Sequence, residues 1–208
     1  MALWACGPEN AREADLPVLG NKYTEEKTVE GKLVVDTVYH QIAPFKLINQ
    51  EGDTVTNGNV EGYVYVADFF FTSCPTICPV MKTQMLRVYE KFKGEPDFRI
   101  LSHTIDPKYD TVALLKDYAA RLGVGNAKTW NFLTGDQEQI FELAQTSYLT
   151  TAMEDKYEPG GFLHSGAFVL VDQQGRIRGV YDGTKETQVN RLMKDIPKLL
   201  NKNAALGS

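Results

Sequence analysis

Apolar residues fall along this chain in short runs whose spacing switches between the strand period of two and the helix period near 3.6. From Gly31 to Thr56 apolar and polar positions alternate, with turn signals at Gly52-Asp53 and Asn57-Gly58, which predicts short strands joined by hairpins. The run Tyr63-Val-Tyr-Val-Ala-Asp-Phe-Phe-Phe71 is nearly continuous in aromatic and β-branched residues, the pattern of a central strand buried on both faces. It leads straight into Thr72-Ser73-Cys74-Pro75-Thr76-Ile77-Cys78-Pro79, after which Val80, Met81, Met85, Val88, Tyr89 and Phe92 recur at helical spacing. A helix is therefore predicted from near Pro79, since proline suits a first turn that has no use for its missing N–H, and Cys78 falls at or beside the cap.

A second strand–helix unit follows: Phe98 to Ile105 as strand, Asp106-Pro-Lys-Tyr-Asp110 as loop, and Thr111 to Leu122 as helix, with Asp110 the expected N-cap and Gly123 the terminator. A third, shorter unit takes Thr129 to Leu133 as strand and Asp136 to Gln145 as helix, opened by Asp-x-x-Gln in the manner of a capping box. After a loop through Tyr157-Glu-Pro-Gly-Gly161, Ala167 to Val171 and Arg176 to Tyr181 read as a hairpin about the turn Asp172-Gln-Gln-Gly175. The last helix starts near Lys185, turns Val189, Leu192, Met193 and Ile196 inward, and is expected to kink or break at Pro197. Strands alternating with helices and closing on a hairpin and a helix give an α/β chain, a thioredoxin-like fold with an N-terminal β extension.

Composition narrows the function classes. The 208 residues carry 22 basic against 27 acidic side chains, which offers no basic face for nucleic acid. No run of about 18 apolar residues exists to span a bilayer. Met1-Ala2 and Gly207-Ser208 read as appended ends, so a native leader is expected to be missing upstream. Leu3-Trp4-Ala5-Cys6-Gly7 resembles the lipobox of bacterial lipoproteins, which makes Cys6 a candidate lipid anchor and the polar stretch after it a tether. The expected division is residues 1–30 as a flexible tether with the anchor region, 31–202 as the thioredoxin-like domain, and 203–208 as a C-terminal tail.

The other two cysteines lie together in one loop, which points to a redox pair or to metal ligands rather than to a disulfide scaffold. Cys-x-x-x-Cys at a strand-to-helix junction sets two sulfurs where unpaired N–H groups and a partial positive charge favour thiolates. A thiolate is both the nucleophile and the ligand, so the motif alone leaves both chemistries open. Soft thiolates select Cu(I) and imidazole accommodates both copper oxidation states, so a histidine would tilt the pair toward copper. Of His40, His103 and His164, the last is best placed, because Phe162-Leu-His-Ser165 leads into the strand at Ala167 and the loop before that strand faces the cysteine loop in thioredoxin-like folds. His40 is expected at the surface, and His103 as a satisfied core or strand-end residue.

Three segments together resemble the Sco/SenC family, thioredoxin-like proteins that bind copper and assist assembly of the dinuclear copper centre of cytochrome c oxidase. They are Asp68-Phe-Phe-Phe-Thr-Ser-Cys-Pro-Thr-Ile-Cys-Pro-Val-Met81, Ser102-His-Thr-Ile-Asp-Pro-Lys-Tyr-Asp-Thr111, and His164-Ser165 followed by Phe-Val-Leu-Val-Asp. The resemblance implies Cys74, Cys78 and His164 as ligands of Cu(I)/Cu(II) and Asp106 as an outer residue that orients or tunes them. It also implies the copper-accepting oxidase subunit as partner, with other copper chaperones or thiol reductants, and a lipid-anchored place in the bacterial periplasm or on the outer face of the inner membrane. The implied function is a metallochaperone, with thiol–disulfide oxidoreductase as the competing enzyme class and Cys74 as its attacking thiol. Two departures stand out: Val112 follows Thr111 where the family often has proline, and no proline precedes the strand at Ala167, unlike thioredoxin-type reductases.

Overall fold

A computed structural model describes residues 16–29, 32–125 and 127–200. In chain order the elements are β1 (Lys22–Val29), β2 (Lys32–Tyr39), β3 (Lys46–Ile48), β4 (Thr54–Thr56), the single turn α1 (Asn57–Val60), β5 (Val64–Phe70), α2 (Cys78–Phe92), β6 (Phe98–Thr104), α3 (Val112–Arg121), β7 (Trp130–Leu133), α4 (Gln137–Glu142) running on as a π-turn over Leu143–Ser147, β8 (Ala152–Glu154), β9 (Phe162–His164), β10 (Ala167–Val171), β11 (Ile177–Asp182) and α5 (Glu186–Leu200).

The main sheet has five strands in the order β11-β10-β5-β6-β7. β5, β6 and β7 are parallel, and β10 runs antiparallel to both β5 and β11. All seven residues of β5 are buried, as a central strand covered on both faces requires. Helix α2 turns Cys78, Met81, Met85, Val88 and Phe92 inward, so the second cysteine heads the helix's own apolar stripe. The result is the α/β thioredoxin-like architecture expected, with the two-stranded ribbon β1–β2 ahead of it.

Four local outcomes differ from the expectation. Asn57-Gly58 opens α1 rather than a hairpin turn, because Asn57 Oδ1 accepts from Phe45 N at 2.7 Å and Thr56 N donates to Asn59 Oδ1 at 2.8 Å. Strand β1 lies inside the stretch read as tether and pairs with β2 along its whole length. The segment before His164, read as loop, forms the hairpin β8–β9. Helix α5 continues through Pro197, which lacks the N–H that would reach Met193 O; Lys91 Nζ donates to that carbonyl instead, at 3.3 Å. Cys6 and residues 203–208 lie outside the described residues.

Candidate metal centre

The loop between β5 and α2 is short and irregular. Cys74 N donates to Phe71 O at 3.2 Å, which turns the chain sharply as it leaves the central strand. Ile77 is the N-cap of α2 with no side-chain cap, and Pro79 sits in the first turn, so Cys78 occupies the first helical position, at the positive end of the helix dipole. Both cysteines are free thiols and both are buried.

His164 arrives from the opposite side on β9, whose register sets Ala152 across from it. Its ring packs edge-on against Phe71, with centroids 5.7 Å apart, and Phe71 also meets Phe162 at 5.3 Å. The tip of the β8–β9 hairpin reaches the cysteine loop at Gly160. There φ is +89°, and an added Cβ would lie 2.8 Å from the Phe71 ring and 3.4 Å from Pro75, so this close approach requires glycine on both counts.

The three side chains converge. His164 Nε2 is 3.3 Å from Cys78 Sγ and 3.8 Å from Cys74 Sγ. The three ligand atoms all lie within 4.8 Å of one another. A three-coordinate ion bonded at about 2.3 Å to sulfur and about 2.0 Å to nitrogen, as in zinc sites, separates its donors by roughly 3.7–4.0 Å. The two nitrogen–sulfur distances come within a few tenths of an ångström of that comparison, and among the described residues no other group of three such side chains converges this way. Two sulfurs and one imidazole suit soft or borderline metals better than hard ones.

The two thiols are unequal. Burial pushes Cys74 up, but hydrogen bonds from the Cys78 thiol, the backbone of Thr76 and Cys78 and the Thr76 hydroxyl outweigh it and hold Cys74 below the ordinary thiol range. Burial pushes Cys78 well above that range, and the Cys74 thiolate and Asp68 act in the same direction. Burial also lowers the His164 imidazole, which favours the neutral ring, the form in which a ring nitrogen can bind a metal.

The other candidates stand elsewhere. His103 is fully buried, donates from Nδ1 to Asp68 O at 3.2 Å, stacks on Phe69 and titrates near about 4 because of burial; its Nε2 has no hydrogen-bond partner, so it is a core residue only half satisfied. His40 is half-buried rather than at the surface, because its Nε2 donates to Ser147 O at 2.7 Å. Asp106 accepts at Oδ1 from Tyr109 N at 3.4 Å, within its own loop, and its carboxyl is raised by partial burial. Asp110 is not the cap of α3: Thr111 Oγ1 accepts from Leu114 N at 3.3 Å, and Asp110 turns inward instead. Sequence reasoning thus missed Asp110, and also Asp68, a buried carboxyl that accepts from Ser102 Oγ at 2.5 Å and that burial raises to about 7.

A sequence profile described as SCO1/SenC matches residues 36–201, most of the chain and all three converging side chains. The chain belongs to the SCO1/SenC family. Among solved structures, it is similar to a SCO1/SenC family lipoprotein from Bacillus anthracis, at 28% identity and TM-score 0.70 over 77% of this chain and 95% of that one. It is also similar to BsSco, described as a member of the Sco family of cytochrome c oxidase assembly proteins and as having a disulfide switch, at 33% identity and TM-score 0.67 over 77% and 93%. Arabidopsis thaliana ScoI with copper bound matches at 26% identity and TM-score 0.62 over 77% and 98%. No described helix of this SCO1/SenC chain is long and apolar enough to cross a membrane.

Proposed function

We propose that this protein is a copper metallochaperone that holds one copper ion on Cys74, Cys78 and His164 and delivers it to the dinuclear copper site of cytochrome c oxidase. The observation that carries the reading is the position of His164 Nε2, within 3.8 Å of both sulfurs. Copper is the cargo. Two thiolates and Cu(I) leave about one net negative charge, which the N-terminus of α2 stabilises, while Cu(II) makes the set neutral. The copper-bound relative and the relative assigned to oxidase assembly support the metal and the acceptor. Release proceeds by ligand exchange, with thiolates of the copper-accepting subunit replacing those of Cys74 and Cys78 in turn; other copper chaperones or thiol reductants load and reduce the site.

Asp106 serves the site through its loop. Its backbone carbonyl accepts from Tyr109 N at 3.1 Å and Asp110 N at 2.8 Å, which closes the turn that carries Asp110 inward. Cys6 anchors the protein by a lipid to the outer face of the bacterial inner membrane, in the periplasm, with the residues ahead of Leu16 as tether; from Leu16 on the chain is docked, since Arg178 donates to Leu16 O and Pro17 O and Leu19 N donates to Ile177 O at 2.8 Å. The lipobox-like Leu-Trp-Ala-Cys and the lipoprotein relative support this.

The test is transfer. Copper-loaded protein mixed with the metal-free soluble domain of an oxidase copper subunit should lose its copper and generate the acceptor's dinuclear spectrum; retention of copper by the donor contradicts the chaperone role.

The inequality of the two thiols favours a second reading, reduction of the acceptor's cysteines. Cys74 thiolate would attack the acceptor disulfide, forming a mixed disulfide and releasing one acceptor thiolate. Cys78, losing its proton, would then displace the second, leaving a Cys74–Cys78 disulfide and two reduced acceptor thiols. A dithiol reduction potential well below that of the compartment would favour this reading, and a poorly reducing pair would favour carriage alone.

A further inference from the structure

Asp110 is fully buried between the C-terminal ends of β5 and β6. Its carboxyl accepts three hydrogen bonds: Thr72 N donates to Oδ2 at 3.0 Å, Thr104 Oγ1 donates to Oδ2 at 2.5 Å, and Thr72 Oγ1 donates to Oδ1. A buried carboxyl is costly unless such donors satisfy it, so these contacts fix one another's geometry. Thr104 is held in turn, its Oγ1 accepting from Asp106 N at 3.1 Å. The helix beginning at Val112 does not need Asp110, since Thr111 caps it. Among the described residues every hydrogen bond to the Asp110 carboxyl comes from Thr72 and Thr104, at the ends of β5 and β6, and Thr72 lies two residues before Cys74.

We propose that Asp110 is a positioning residue for the metal centre: through Thr72 it fixes the exit of the chain from β5 and so holds Cys74 Sγ at the distance at which it shares His164 Nε2 with Cys78. The proposal rests on the reading of Cys74, Cys78 and His164 as copper ligands. Cys74 is the ligand most in need of such support. Cys78 is carried by a helix and His164 by a paired strand, whereas Cys74 lies in the irregular segment between β5 and α2. Its own N–H bonds to Phe71 O, and Thr72, inside that turn, is the residue that Asp110 ties to Thr104 of β6. Freed of that tie, the Cys74 sulfur samples positions from which the three donors cannot meet one ion.

The experiment compares Asp110→Asn, Thr72→Val and His164→Ala with the parent protein. It uses Cu(I) competition against a chelator and the Cu(II)–thiolate absorption band, with circular dichroism and thermal melting as the folding control. Asp110→Asn keeps the shape but turns one acceptor into a donor facing donors. The expected result is a folded protein with copper affinity about 10–100-fold weaker, the range for partners of metal ligands, and a shifted thiolate band. Thr72→Val should give a smaller loss in the same direction. A lowered melting temperature with unchanged affinity and band in the folded variant overturns the proposal and leaves Asp110 a structural residue. If Asp110→Asn does not fold, Thr72→Val decides, and parental copper affinity in that variant is equally contrary. If His164→Ala itself binds copper as the parent does, the ligand reading fails, not only the role of Asp110.

Discussion

The imidazole nitrogen Nε2 of His164 stands 3.3 Å from the sulfur of Cys78, across 86 positions of sequence. Two different local devices produce that meeting. Cys78 is aimed by the apolar stripe of α2, which begins with it, while His164 is aimed by its pairing with Ala152 and its edge contact on Phe71. Several consequences can be measured.

Because the thiols are unequal, alkylation of the reduced, metal-free protein near neutral pH should modify Cys74 first and Cys78 slowly. Peptide mass spectrometry after a brief treatment with iodoacetamide reads this. Equal labelling of the two sites would contradict the hydrogen-bond pattern that holds Cys74 down and the burial that pushes Cys78 up.

Gly160→Ala should loosen the lid that carries His164. The new Cβ meets the Phe71 ring at 2.8 Å in a backbone with φ of +89°. A cost of about 1–3 kcal/mol is expected in unfolding free energy, together with weaker copper binding, and denaturant titration and copper competition report the two effects separately. A variant of parental stability and affinity would mean that the hairpin does not touch the cysteine loop.

Asp68 gives a pH signature. Burial raises its carboxyl from 3.8 to about 7 in the folded protein. Between pH about 4 and 7 the unfolded chain releases this proton while the folded protein keeps it, so the contribution of Asp68 to stability is present below the ordinary carboxyl range and is lost as pH rises to its folded value. His103 opposes it: burial lowers it from 6.5 to about 4, so its contribution is present above pH 6.5 and is lost as pH falls toward 4. Asp68→Asn, which can still accept from Ser102, should gain on the parent as pH goes from 4 to 7 and then level off. Chemical denaturation at several pH values measures the difference, and a pH-independent difference would contradict a neutral buried acid.

The parts of this fold legible in the sequence were those with strong period or strong chemistry. The run before Cys74 could only be a central strand, and the stripe from Met81 to Phe92 only a helix. Pro79 located the junction where the cysteines sit. The three-residue strands β8 and β9 escaped because a hairpin that short shows no alternation, and the Gly160-Gly161 pair that shapes its tip has the composition of any loop. Asp110 reads as a helix cap because capping residues and buried acceptors look alike in sequence. Thr111 beside it took the cap, and only the fold brings Thr72 and Thr104 to Asp110. The hydrogen bond from the His40 ring to the Ser147 carbonyl had no sequence signal, since 107 positions separate the two.

The most direct test of the account is copper titration of the reduced protein beside its His164→Ala variant, followed by the Cu(II)–thiolate absorption band and by competition for Cu(I). A Cys74–Cys78–His164 centre should give one copper per parent chain, a strong thiolate band, and in the variant a lost or shifted band with Cu(II) affinity weakened at least tenfold, the lower range for damage to a metal site. An unchanged band and unchanged affinity in His164→Ala would contradict a centre built from Cys74, Cys78 and His164.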